Sequence, residues 1–210
     1  MARFFKILGV SAASCLLLCA ALASSAMTDS ATGITFAPKI NDLEITGVGV
    51  RKKGPIKVYS VGMYTSALIK EKLSALSRTA DKVRAFGALR SSQDEGDVAF
   101  FLKMNFKVGA EKFSSAISES VAPRHSGDPA EVEQLKANIF AGLAEKGAAT
   151  KGTTFLFNCS SVGIDVMVDD VDQGCVESPG LSKAFCDVYL DDNCVSPPLP
   201  NNCLENWCKP

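Results

Sequence analysis

Residues 47–64 read GVGVRKKGPIKVYSVGMY, and the rest of the chain is interpreted outward from this stretch. Glycine and valine alternate over residues 47–50, which predicts a strand with no bulky atoms on one side. A glycine-proline pair then signals a turn, and residues 56–64 alternate again as a second strand. The stretch therefore predicts a hairpin of two antiparallel strands, with the cations of residues 51–53 at its turn.

Arg51 and Tyr59 are the candidate ligand-binding residues of this hairpin. A guanidinium presents paired planar donors to a carboxylate or an enolate, and a phenol adds one O–H donor. The alternative is that residues 51–53 form a solvated turn and that Tyr59 is a half-buried strand residue. The pattern alone leaves both interpretations open.

Residues 1–26 are predicted as a secretory signal peptide, which makes the mature protein secreted or lumenal. Arg3 and Lys6 precede an apolar run over residues 7–23, and small residues follow it, as a cleavage site requires. A membrane anchor is the alternative, but the run is short for a spanning helix. In a cell with complex plastids, the same signal can form the first part of a plastid address.

The charge of the chain bears on its partners. The formal net charge is −1. Cleavage of the signal removes Arg3 and Lys6 and no acid, so the mature chain carries −3. This balance does not suggest nucleic acid or an anionic membrane as a partner. No other stretch is long and apolar enough to span a membrane.

All six cysteines outside the signal lie beyond residue 158. An even number after a secretory signal predicts disulfides of unknown connectivity. Zinc is disfavoured because the spacings contain no Cys-x-x-Cys and the only histidine, His125, is distant in sequence. Asn158 begins a glycosylation sequon. The disulfide candidates are Cys159, Cys175, Cys186, Cys194, Cys203 and Cys208.

Residues 27–197 are predicted as one domain, and residues 198–210 as a cysteine- and proline-rich tail that lies on it. Periodicity predicts short strands over residues 32–45, a helix within 64–80, strands over 82–89 and 98–108, helices over 110–121 and 129–145, strands over 153–159 and 164–168, and a last helix over 181–190. This order suits an α+β fold, with one large antiparallel sheet and a layer of helices on one face.

No motif of an enzyme is evident in the sequence. His125 lies in a loop, and no Gly-x-Ser-x-Gly, phosphate loop or dinucleotide fingerprint occurs. The acidic clusters of residues 169–172 and 191–192 lack the spacing of a calcium loop, so turns are the better interpretation. We expect no metal, no cofactor and a monomeric protein.

Three stretches resemble the chalcone isomerase-like family. The first is residues 47–64, and the second is LSKAFCDVYLDDNCVSP at 181–197, which is similar to the family's late helix. The third is LKMNFKVGAEKFSSAISESV at 102–121, which resembles the family's strand and cleft-lining helix. The resemblance implies an open-faced sandwich with the ligand between the large sheet and the helices.

The resemblance also assigns positions in the site. In the catalytic members, an Arg on the first hairpin strand steers the phenolate of the substrate, and four further polar residues complete the site. Arg51 matches that Arg. The four other positions are occupied by Tyr59, Phe113, Ser120 and Val188 in place of Thr, Tyr, Asn and Thr or Ser. A phenylalanine cannot hold the water that polarises the ketone, so the resemblance implies the non-catalytic, fatty-acid-binding branch.

The sequence therefore predicts a non-catalytic protein that binds a fatty acid or another small amphipathic carboxylate. The resemblance gives the carboxylate to Arg51 and Tyr59. The candidate residues for the rest of the site are Tyr64, Phe106, Phe113, Ile117, Ser120 and Val188. One alternative is an intramolecular lyase of the chalcone isomerase type, acting on a small carbonyl substrate. Another is a secreted interaction protein with a disulfide-stabilised tail.

Overall fold

A computed structural model describes residues 25–210. Nearly all of the predicted signal peptide, with Cys15 and Cys19, lies outside these residues, so the cleavage and the secretory location stay predictions. Among residues 25–210, no helix is long and apolar enough to cross a membrane.

The described part of the chain contains eleven strands and six α-helices. The strands are β1 Met27–Thr28, β2 Thr35–Phe36, β3 Lys39–Ile40, β4 Leu43–Lys53, β5 Ile56–Thr65, β6 Val98–Met104, β7 Val108–Gly109, β8 Ala148–Ala149, β9 Thr154–Cys159, β10 Ile164–Val168 and β11 Val171–Val176. The helices are α1 Ala67–Ser74, α2 Lys82–Arg90, α3 Ala110–Val121, α4 Pro129–Ala141, α5 Pro179–Leu190 and α6 Pro198–Trp207.

Seven of the strands form one sheet in the order β11-β10-β9-β6-β5-β4-β3, and every neighbouring pair is antiparallel. All six helices contribute buried side chains to the core on one face of this sheet. The predicted α+β class, with one large antiparallel sheet and a helical layer, is confirmed.

The predicted hairpin is confirmed as β4 and β5, the strands that position the site. Gly47 pairs with Met63, and Arg51 pairs with Tyr59. A register shift follows Arg51, and Gly54 closes the turn with a positive φ of 58°, a conformation that glycine adopts without steric cost. Arg51 therefore lies three residues before the turn, beside Tyr59 and on the helical side of the sheet.

The second face of the sheet has a smaller core of its own. Phe36, Ile45, Val48, Tyr64 and Ala99 pack together there. Phe36 lies in β2, which pairs with β1 beside the main sheet. Tyr64 donates a hydrogen bond of 3.0 Å to the carbonyl oxygen of Ala37. The N-terminal segment thus covers part of the face that carries no helices.

The strand predicted over residues 82–89 is wrong, because this segment is α2. Its two buried side chains, Ala85 and Leu89, are four residues apart and therefore share one helical face. The helix predicted over residues 110–121 is confirmed as α3. Asp128 caps α4, as predicted, by accepting a hydrogen bond of 2.9 Å from the amide of Ala130.

The structure also corrects the predicted tail, because residues 198–207 form α6, which packs on β4. Leu199, Cys203 and Leu204 are buried in the main core. A Cβ on Gly49 would lie 2.6 Å from the amide nitrogen of Leu199, and one on Gly47 would lie 2.9 Å from that of Cys203. The two glycines thus allow the backbone of the helix to rest directly on the strand.

None of the predicted disulfides is present among residues 25–210, where all six cysteines are free. Some of these cysteines are buried and others are accessible to solvent. Cys159, Cys186, Cys203 and Cys208 are buried, whereas Cys175 is exposed. The thiol of Cys186 forms a hydrogen bond with Cys159, and burial raises the pKa of the Cys159 thiol well above its ordinary value.

Candidate functional site

A cavity of about 430 Å³ opens at the turn end of the β4–β5 hairpin, between the sheet and α3. This volume lies in the range of small-molecule sites. The hairpin contributes Arg51, Tyr59 and two lysines to the polar lining, and two further lysines line the cavity from outside the hairpin. The apolar lining consists of Ile56, Val58, Phe106, Val108, Phe113, Ala116 and Ile117.

Arg51 is the cation inside this cavity. Its Nη1 atom lies 3.4 Å from the Tyr59 hydroxyl oxygen, and its Nη2 atom lies 3.5 Å from Ser120 Oγ. Burial lowers the pKa of Arg51, but the phenol oxygens of Tyr59 and Tyr189 more than offset this effect and leave the pKa raised. The guanidinium therefore stays charged.

No carboxylate neutralises Arg51. Among residues 25–210 it forms no ion pair, and no acidic side chain lines the cavity. The two hydroxyl contacts are long and neutral, so they replace only part of the hydration that a half-buried cation loses. A bound anion would supply the missing countercharge.

Tyr59 connects Arg51 to Tyr189, a residue that the sequence analysis did not select. Both tyrosines are buried, and their hydroxyl oxygens are 2.9 Å apart. Within the described chain Tyr59 is the one hydrogen-bond partner of the Tyr189 hydroxyl. Either hydroxyl can be the donor of this bond. When Tyr189 donates, the Tyr59 proton is left for an acceptor in the cavity.

The wall opposite the hairpin is aromatic and rigid. Phe113 on α3 stacks on Phe155 of β9, with ring centroids 4.4 Å apart, and meets Tyr59 edge-on at 6.3 Å. Phe113 and Ile117 are buried, whereas Phe106 at the mouth is 49% exposed. The three predicted wall residues Phe106, Phe113 and Ile117 thus share one cavity.

Two predicted wall residues lie elsewhere. Tyr64 belongs to the smaller core on the opposite face of the sheet, because it is five residues beyond Tyr59 in the alternation of β5. Val188 on α5 is buried in the main core and does not line the cavity. Its neighbour Tyr189 projects to the site instead. The tyrosine-leucine pair that ends α5 was the sequence signal for this residue.

The predicted glycosylation position, Asn158, and the only histidine, His125, do not line the cavity. Asn158 lies within β9, paired with Ala99 on one side and Asp165 on the other. This central-strand position is unlike the surface loop that favours glycosylation. The His125 side chain is buried, and its Nε2 atom lies 2.7 Å from Glu131 Oε2. His125 is not among the residues that line the cavity. Residues 25–210 contain no cluster of His, Cys, Asp or Glu side chains that could hold a metal ion.

The sheet, the helical layer and the open cavity between them define an α+β protein with a candidate site for a small ligand. The sequence model described as chalcone isomerase-like matches residues 28–204. This match covers more than half of the chain, so the protein belongs to the chalcone isomerase-like family.

A solved relative supports the fold. The crystal structure of a fatty-acid binding protein from Arabidopsis thaliana superposes with a TM-score of 0.69 and is 19% identical in sequence. The alignment covers 86% of this chain and 96% of that one. The search of curated proteins found no match. At this identity the comparison shows a common fold, and the ligand must be argued from the cavity.

Proposed function

We propose that this protein binds the carboxylate of a long-chain fatty acid without transforming it. The observation that carries the proposal is the half-buried guanidinium of Arg51, which has no acidic partner in the described chain and faces an apolar cavity. A carboxylate would neutralise the charge of Arg51 and accept a hydrogen bond from the Tyr59 hydroxyl. An acyl chain would contact the lining of Val58, Phe113 and Ile117.

The composition of the wall supports binding over catalysis. Phe113 stands where catalytic relatives are expected to place a tyrosine, and its ring is fixed by stacking on Phe155. Tyr59 and Ser120 remain near Arg51, but Ser120 already donates its hydroxyl to the carbonyl oxygen of Ala116 at 2.7 Å. A solved relative of the same fold is described as a fatty-acid binding protein, which supports a small ligand.

The proposal is tested by titrating the protein with a long-chain fatty acid and with its methyl ester. Charge-assisted hydrogen bonds contribute roughly 1.5–3 kcal/mol each. We therefore expect Arg51→Ala to weaken binding of the acid by about ten-fold or more, since about 1.4 kcal/mol corresponds to a factor of ten. Arg51→Lys is the matched control, because it keeps the charge and loses the planar guanidinium. Its affinity for the acid should lie between those of the wild type and Arg51→Ala.

The methyl ester distinguishes the contribution of the carboxylate to affinity from that of the acyl chain. It cannot present a carboxylate, so it should bind the wild type no better than it binds Arg51→Ala. Equal affinity of the wild type for acid and ester would contradict the proposal. Turnover of a chalcone by the wild type, lost in Arg51→Ala, would favour the intramolecular lyase instead.

A further inference from the structure

The mouth of the cavity carries a concentration of positive charge that binding of one carboxylate does not use. Lys52, Lys53, Lys107 and Lys112 all contribute to the lining at the opening, and all four are exposed. None of them forms an ion pair within residues 25–210. Glu111, the acidic neighbour of Lys112, is already paired with Lys136 at 2.8 Å.

Apolar side chains stand among these lysines. Ile56 is 40% exposed and Phe106 is 49% exposed, and both line the same opening. They come from β5 and from the segment after β6, which lie side by side, because the Phe106 amide donates to the carbonyl oxygen of Val58 at 3.2 Å. A surface of exposed apolar side chains surrounded by cations fits the interface of a bilayer that carries anionic lipids.

The charge at the mouth differs from that of the whole chain, which carries a formal net charge of −1. That overall balance argued against an anionic membrane as a partner, but it does not describe the distribution of charge. The four lysines and Arg51 lie at one end of the hairpin, and no carboxylate lines the opening between them. The electrostatic attraction to an anionic surface acts over about one Debye length, so this local arrangement determines it.

The chemistry of the proposed ligand also points to a lipid surface. Each methylene of an acyl chain favours transfer from water to a lipid phase by about four-fold, so a long-chain fatty acid is held mainly in membranes. A protein that takes up such a ligand gains if its cavity opens toward the bilayer. Desorption through water is then avoided.

We propose that the rim of the cavity, formed by Lys52, Lys53, Lys107, Lys112, Ile56 and Phe106, docks on the surface of an anionic bilayer. The ligand would enter and leave the cavity through this contact. The docking surface itself rests on the geometry of the mouth, whereas its use for ligand transfer rests on the proposed function.

The test is co-sedimentation of the purified protein with vesicles free of fatty acid. One set is phosphatidylcholine alone, and the other contains about 30% phosphatidylserine, which gives a negative surface potential. We expect binding to the anionic vesicles, little binding to the neutral ones, and release as NaCl rises from about 0.05 M to about 0.5 M. The double variant Lys52→Glu/Lys53→Glu should weaken anionic binding by at least about ten-fold.

Lys183→Glu is the matched control. Lys183 is an exposed lysine on α5 next to Ser182, which contacts Ser160 just beyond β9, at the opposite end of the sheet from the mouth. Its reversal changes the net charge but leaves the rim intact, so binding should stay within about two-fold. Phe106→Ser tests the apolar contribution and should weaken binding without removing its salt dependence.

Three results would overturn the docking surface. They are absence of binding to anionic vesicles, equal binding to neutral and anionic vesicles, and an equal loss in Lys183→Glu and the rim variant. A vesicle-free titration with fatty acid keeps the two proposals apart. Vesicle binding without fatty-acid binding would support the docking surface and contradict the proposed function. Fatty-acid binding without vesicle binding would support the proposed function and contradict the docking surface.

Discussion

The two ends of the β4–β5 hairpin face the same helical layer and meet it in different ways. At the end around Gly47 and Gly49, the absence of side chains lets α6 pack against the strand at backbone distance. At the other end, Arg51 and Tyr59 project long polar side chains, and the space between them and α3 stays open as the cavity. Side-chain size along one strand thus determines where the sheet is sealed and where it can receive a ligand.

Deletion of residues 198–210 is the largest test of the sealed end. It removes Leu199, Cys203 and Leu204 from the core and exposes the strand beneath them. We expect the free energy of unfolding to fall by several kcal/mol, since each buried leucine alone contributes about 1.5–3 kcal/mol. Urea denaturation measures the change, with deletion of the exposed Pro210 alone as the control. An unchanged midpoint would show that α6 is a dispensable tail.

A single methyl group should also disturb the sealed end. In Gly49→Ala the new Cβ would lie 2.6 Å from the amide nitrogen of Leu199, so strand or helix must shift. We expect a loss of about 1–3 kcal/mol in the free energy of unfolding. Gly87→Ala is the matched control, because nothing lies within 4 Å of its Cβ and the site is inside α2. The control should be neutral or stabilising by up to about 1 kcal/mol.

At the open end, Tyr189→Phe tests whether the buried hydroxyl orients Tyr59. The substitution removes the buried hydroxyl at 2.9 Å that orients the Tyr59 hydroxyl. We expect fatty-acid affinity to fall by about three-fold, within the roughly 0.5–1.5 kcal/mol that a neutral hydrogen bond contributes. Tyr64→Phe removes a hydroxyl from the opposite face of the same sheet and should leave affinity unchanged. An equal loss in both variants would assign the effect to stability.

The smallest effect concerns the rim. Lys52→Ala and Lys53→Ala should each change fatty-acid affinity in solution by less than about two-fold, because exposed charges are screened by solvent. Isothermal titration of both variants beside Arg51→Ala gives the comparison. A ten-fold loss of affinity in either variant would indicate that the carboxylate binds at the mouth of the cavity and not in its interior.

Much of the fold could be predicted from local pattern, and the errors have particular causes. The hairpin, α3 and the β9–β10 pair follow from period and turn chemistry. Residues 82–89 were misassigned because a short segment with valine, phenylalanine and leucine does not distinguish a buried helix from a strand. The tail was misassigned because its prolines and cysteines suggested turns and disulfides, whereas Pro198 and Pro200 occupy the first turn of α6, where proline is tolerated.

The site shows the same division between local and tertiary information. Arg51, Tyr59 and Phe113, which the resemblance assigned to one site, line one cavity, because the matched motifs lie on the hairpin and α3. Tyr64 was assigned to the cavity wall although alternation along β5 points it away from Tyr59. Tyr189 was missed because the tyrosine-leucine pair does not specify which way its ring points. That direction depends on how α5 packs against Phe100 of β6, on which the Tyr189 ring stacks.

The sequence by itself determined the hairpin, the class of the fold and the presence of Arg51 beside Tyr59, since strand period and turn residues act over a few positions. Only the tertiary structure decided that α6 seals one end of the strand, that Arg51 lacks an acidic partner in the described chain, and that four lysines meet at the mouth. These features join residues far apart in sequence. They depend on packing distances and on shared burial, which local spacing does not specify.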